Sequence, residues 1–154
     1  MTKHPYGLML AAWGVSLCLS PWIASPWLRP DWLLVAMALV LIREPRRVSL
    51  DLGVFAGCLA ALTAIDHPLR AGSCYVAVSW VMMELAARFE MSQPKLQWVA
   101  IAGLILIAEM GAVVWVGSPT LMLLGVAGVK GVVTLLTYGA LARWTAQSGI
   151  GMSG

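Results

Sequence analysis

Charge is scarce in this chain of 154 residues: Asp, Glu, Lys and Arg together make up 11% of it. A soluble domain carries roughly 25%, so this sequence cannot clothe a water-exposed surface. Histidine is limited to His4 and His67. The three cysteines, Cys18, Cys58 and Cys74, form no CxxC pair and no Cys/His cluster, so neither a disulfide framework nor a zinc site is indicated. Lying in or beside apolar runs, they read as small buried hydrophobes. There is no Walker loop, no G-x-S-x-G elbow, no H-E-x-x-H, no clustered Asp motif and no pair of histidines for haem. The expectation is a protein that is not an enzyme and needs no cofactor or metal. A net charge of +3 does not argue for nucleic acid, because the basic residues stand between apolar runs, where membrane topology asks for them.

What the sequence has in abundance is apolar residues, 60% of the total, arranged in runs of membrane-helix type. The fold expected is all-α and polytopic, one transmembrane domain over 1–154, with spans near 6–23, 31–42, 49–65, 72–88, 98–116 and 120–141. The N-terminal run reads as a retained first span, since it contains Trp13, continues through Pro21-Trp22-Ile23 and offers no cleavage site. The second run is short and has two readings, a re-entrant segment or a span that recruits its flanks while Arg29 and Arg43 snorkel. Charge parity favours the span. Lys3, Arg43, Arg46, Arg47, Arg88, Lys95 and Arg143 then lie inside and Arg29 and Arg70 outside, with both termini cytoplasmic.

Local signals refine the spans. Ser49 stands at an N-cap and Asp51 in the first turn of the third helix; Asp66-His67-Pro68-Leu69-Arg70 reads as an outer turn rather than a metal site, 89–97 as an inner loop, and Arg143 as part of a short polar tail. Trp22, Trp27, Trp32, Trp98, Trp115 and Trp144 fall at span ends as an aromatic belt, whereas Trp13 and Trp80 read as packing residues.

Ionisable groups inside spans are costly, and Glu109 and Lys130 are the two here. They fall at similar depth on consecutive antiparallel helices. An interhelical ion pair is the main reading; a proton or substrate relay and a contact to a partner's helix are the others. Lys130 shares a stripe with Ala127, Thr134 and Thr137 that suits the interior, with Gly125 and Gly128 on roughly the opposite side. Glu84 and Arg88 form an i,i+4 pair at the inner face. Gly53 and Gly57, continued by Ala60, Ala61 and Ala64, make a GxxxG face for close helix packing.

Arg29-Pro30-Asp31 opening an apolar span, Glu44-Pro45 in a short turn, and Gly53 with Gly57 in the next span together resemble the MreD family of rod shape-determining proteins over about 28–88. Relatives place an Asp four residues after the second glycine, where this chain has Ala61, and a Leu-Gly after the loop, where it has Leu69-Arg70. The resemblance implies a six-helix fold similar to the substrate-binding component of energy-coupling factor transporters. It also implies a scaffold of the cell-elongation machinery that binds MreC, a single-span protein with a periplasmic domain. Through MreC it would reach RodA, a penicillin-binding transpeptidase and MreB, helping to control cell shape and peptidoglycan synthesis. The residues expected to bind a partner or pack helices are Arg29, Pro30, Asp31, Gly53, Gly57, Gly125 and Gly128. The alternative is a transporter component holding a vitamin-like solute beneath the outer loops near Arg29 and Asp66-His67. Only Asp31, Asp66, His67 and Arg70 offer polar groups there, which favours the scaffold.

Overall fold

The computed structural model describes residues 4–23, 25, 28–43, 49–64, 68–88, 94–114 and 121–147. They form six helices, α1 (Pro5–Leu19), α2 (Trp32–Arg43), α3 (Leu50–Thr63), α4 (Pro68–Arg88), α5 (Pro94–Val114) and α6 (Leu121–Gln147), with no strand among the described residues. The protein is all-α.

The centre of the bundle is α2. Its sequence, WLLVAMALVLIR, is apolar up to the final Arg43, a pattern that suits either a packed core or a membrane span, and here it is the core. Leu33 to Ala38, Val40 and Leu41 are all buried, against α1 and α6 chiefly and α4 and α5 in addition. At 12 residues it is about 18 Å long. The stretch of α6 from Met122 to Trp144 is long and apolar enough to cross a membrane, whereas Pro5–Leu19, Trp32–Leu41, Leu50–Thr63 and Leu96–Gly111 are shorter apolar helices.

Prolines move several boundaries. The first helix stops at Leu19 rather than running to Ile23: Ser20 closes the last turn onto the Ser16 carbonyl, and Pro21 follows with no N–H to continue the ladder. Pro68-Leu69-Arg70, expected in a turn, is the first turn of α4, and the expected inner loop 89–97 gives way to α5 at Pro94. Proline is at home in the first turn, where its missing N–H would have no intrahelical partner. At the other end α6 continues through Arg143 to Gln147, because nothing between Leu141 and Gln147 breaks a helix. Asp66, His67, Trp27, Trp115 and the turn 44–48 lie outside the described residues.

Helices α3 and α4 are the most closely packed pair and run antiparallel. Gly57 lies over Gly72, and Gly53 lies over Tyr75 and Ser79. Ser49 takes the N-cap position of α3 but its hydroxyl makes no cap bond. Its carbonyl instead accepts from Ser79 Oγ at 2.6 Å, tying the start of α3 to α4. The second antiparallel pair is α5 with α6, where Trp98 meets Tyr138 edge to face at 5.2 Å. Tyr6 of α1 meets Phe55 of α3 in the same way.

Two expectations about burial fail. Cys18 and Cys58 are exposed, Cys74 is half-buried, and all are free thiols; they sit on outward faces of α1 and α3 and on the flank of α4. Trp80 is 56% exposed and points away from the bundle, while Trp13 packs against the core with its Nε1 buried and unpartnered.

Candidate functional site

The expected partner-binding motif Arg29-Pro30-Asp31 is turned inward. Arg29 Nε and Nη2 donate to the Ile23 carbonyl at 3.0 and 2.9 Å, and Nη1 donates to Ser20 Oγ at 2.8 Å. A planar guanidinium can make such a forked contact, and its charge suits the carbonyl end of α1. Arg29 therefore fastens the α1–α2 connection and is engaged within the chain.

Asp31 is the N-cap of α2. Its Oδ1 accepts from the Leu34 amide at 3.0 Å, the capping geometry. Its Oδ2 accepts from Tyr75 Oη of α4 at 2.6 Å. Its own amide donates to Thr134 Oγ1 of α6 at 3.1 Å. One residue thus joins the start of the central helix to two of the long helices. Tyr75 was invisible to sequence reasoning as a functional residue. The signal was there in principle, since an Asp directly before an unbroken apolar run predicts a cap, and a buried Tyr hydroxyl requires a partner.

Thr134 is fully buried, and Lys130 lies one turn before it on α6. Lys130 Nζ donates to Glu109 Oε2 at 3.0 Å, with the Glu109 side chain 7% and the Lys130 side chain 33% exposed. Asp31 joins this region through Thr134, one turn from Lys130 on α6. The cluster therefore combines the Glu109–Lys130 ion pair with the Asp31–Tyr75 and Asp31–Thr134 hydrogen bonds. Glu109 Oε1 is buried without a partner, and an ammonium has more donors than the one bond uses. Chemically this arrangement can lock helices in register, or receive a group that donates to Glu109 and accepts from Lys130.

The glycines divide. A Cβ on Gly57 would lie 2.6 Å from the Gly72 carbonyl oxygen, and one on Gly53 would lie 2.9 Å from that of Tyr75. The Gly53/Gly57 face is thus consumed by α4 and is not open to a partner. Gly72, its counterpart, was missed because it pairs with Ser79 at a seven-residue spacing rather than in a GxxxG. Gly125 and Gly128 have nothing within 4 Å of an added Cβ. Of the Lys130 stripe, Ala127 and Thr134 are buried, while Thr137 is half-buried and its hydroxyl donates back to the Val133 carbonyl at 2.9 Å. Glu84 and Arg88 pair at 2.9 Å on the exposed flank of α4.

Asp31→Ala removes a cap, worth about 1 kcal/mol, and orphans the Tyr75 hydroxyl, worth about 1–3 kcal/mol more. The expected loss is therefore about 2–4 kcal/mol. Tyr75→Phe should cost less, because its partner keeps the Leu34 amide. In a double-mutant cycle followed by thermal unfolding in detergent, the coupling should be about 1.5–3 kcal/mol. Additive losses would mean that the 2.6 Å contact does not hold α2 to α4.

No family model matches the chain, and neither a curated protein nor a solved structure matches it.

Proposed function

We propose that this protein is a non-enzymatic membrane scaffold of the MreD type, crossing the bacterial inner membrane with six helices and both termini in the cytoplasm. In this reading it binds the transmembrane segment of a single-span, MreC-like periplasmic protein and through it serves the cell-elongation machinery and peptidoglycan synthesis. The observation that carries the reading is the outer face of α6. Met122, Val129, Val132 and Leu136 are 70, 48, 53 and 68% exposed at helical spacing, with the open Gly125 among them and Gly128 beside them. In a bilayer, where apolar burial gives no driving force, helices associate through close backbone approach at small residues. An apolar stripe with a glycine notch on the longest helix is such a surface. The short α2 and α3 fit the reading as helices packed against longer neighbours, α2 on α6 and α3 on α4.

The test is a mild-detergent pull-down of tagged protein from its native membrane, with mass spectrometry for proteins and small molecules. The expected result is recovery of a single-span periplasmic protein and wall-synthesis enzymes. Gly125→Leu combined with Gly128→Leu should abolish that recovery while leaving the melting temperature within a few degrees of the parent, because both side chains enter open space. Retained recovery in this variant would remove α6 as the docking face.

A second reading, a transporter component that binds a small solute, draws on the unpartnered Oε1 of Glu109. A vitamin-like solute or an ATPase pair in the same pull-down would establish it and exclude the scaffold.

A further inference from the structure

Between α4 and α5 runs a groove of about 270 Å³ that is open along one side. Its walls include Ser73, Cys74, Ala77 and Val81 from α4 and Ile107 and Gly111 from α5, and they are almost wholly apolar. The one polar hydroxyl there, Ser73 Oγ, is turned back to donate to the Arg70 carbonyl at 3.0 Å. A helix lying over the groove would put only side-chain ends into it, since packed helix axes stand about 8–10 Å apart. A single alkyl chain fits such a slot.

The ends of the groove say more. From Ser73 to Val81 is about 12 Å of helix rise, which lies within one leaflet of a hydrocarbon core about 30 Å thick. One turn beyond Ser73, at the N-terminal end of the same face, stands the exposed Arg70. Helix side chains lean toward the N-terminus, so this guanidinium reaches away from the groove toward headgroup level. Arg70 is also one of the few cations that the topology leaves on the outer side, where membrane proteins carry fewer of them.

We propose that the α4–α5 groove is a binding site for an anionic phospholipid of the outer leaflet, with one acyl chain between Ala77 and Gly111 and the phosphate on Arg70. The site rests on the membrane reading above but not on any protein partner. Charge complementarity selects the anionic headgroup: a basic side chain at the membrane surface favours anionic lipid by about fivefold per residue. The small side chains of Ala77 and Gly111 keep the slot open.

The experiment is native mass spectrometry of delipidated protein in neutral detergent, titrated with phosphatidylglycerol or with phosphatidylcholine of the same chains. The native chain should take up one phosphatidylglycerol with about fivefold preference over phosphatidylcholine. Arg70→Gln should erase the preference. Gly111→Leu, made where an added Cβ meets nothing within 4 Å, should fill the slot and weaken both lipids by about tenfold through lost van der Waals contacts with the acyl chain. Ala77→Leu should do the same from the opposite wall, and its agreement with Gly111→Leu separates filling of the groove from damage to α5. Equal binding of the two lipids by the native chain would overturn the proposal, as would undiminished phosphatidylglycerol binding in both leucine variants. If the chain were soluble without detergent, the membrane reading and this site would fall together. Loss of partner recovery in the pull-down would leave the lipid site standing.

Discussion

Replacing Gly57 with valine should leave little folded protein, and even Gly57→Ala should lower the melting temperature. The reason is what stands opposite. The new Cβ would lie 2.6 Å from the Gly72 carbonyl oxygen and 3.2 Å from the Gly72 Cα, and these are backbone atoms of α4 that cannot swing aside as a side chain would. Overpacking a well-filled interface costs about 1–3 kcal/mol when side chains can yield; with backbone as the obstacle, about 3 kcal/mol or more is expected. The damage would spread, because the α4 face that meets Gly53 and Gly57 also presents Ser79 to the Ser49 carbonyl and lies beside the Tyr75 bond to Asp31. Pushing α4 outward loosens the start of α3 and the cap of α2 together. The control is a change of sign. Alanine in place of glycine within a helix ordinarily gains about 1 kcal/mol, and Gly128→Ala, with open space around it, should show that gain or no change. Thermal unfolding of the two alanine variants in one detergent checks both. Equal behaviour would mean that α3 and α4 do not approach at Gly57.

Which of these features could be read from the sequence follows from the range of the interaction that makes them. The helical class and the approximate helices were legible because apolar runs and their polar breaks are local. Lys130 and Glu109 could be matched because consecutive helices joined by a short turn must run antiparallel, so depth alone brings the two together. The outer turn expected at 66–70 and the inner loop expected at 89–97 overran the helix starts at Pro68 and Pro94, because a proline is as compatible with the first turn of a helix as with a loop. The role of Asp31 was not legible. Its cap is local, but its bonds to Tyr75 and Thr134 cross 44 and 103 residues of sequence and depend on how three helices converge. The same holds for Gly53 and Gly57. The motif signals close packing without naming the surface it packs on, and α4 claims it before any other molecule can. Trp80 shows the converse: an indole in mid-helix is equally compatible with core and with an outer face, and here α4 turns it outward.

Breaking the Glu109–Lys130 pair by removing one charge should be among the most damaging single changes in the chain. Glu109 is 6% exposed and has its second oxygen buried without a partner, so Lys130→Met would leave an uncompensated carboxylate inside the bundle. Such half-broken buried pairs cost about 3–5 kcal/mol. Glu109→Leu should be milder, because Lys130 is one-third exposed and its long stem can carry the ammonium toward a more polar region. Removing both charges in Glu109→Leu with Lys130→Met should recover most of the loss, since two apolar side chains of similar size fill the same space with nothing left to desolvate. Exchanging the charges, Glu109→Lys with Lys130→Glu, should recover less than the apolar pair. Asp31 is bonded to Thr134, one turn from position 130 on α6, so a carboxylate at 130 would bring two like charges into the same region. These four variants, measured by thermal unfolding in detergent, separate two roles. If the apolar pair restores stability and also partner recovery, the ion pair serves only to register α5 against α6. If it restores stability but recovery stays lost, the spare donors of Lys130 and the free oxygen of Glu109 are part of what the partner recognises. A charge exchange that fully restores stability would show that Asp31 is too distant to matter, and the cluster would separate into two independent contacts.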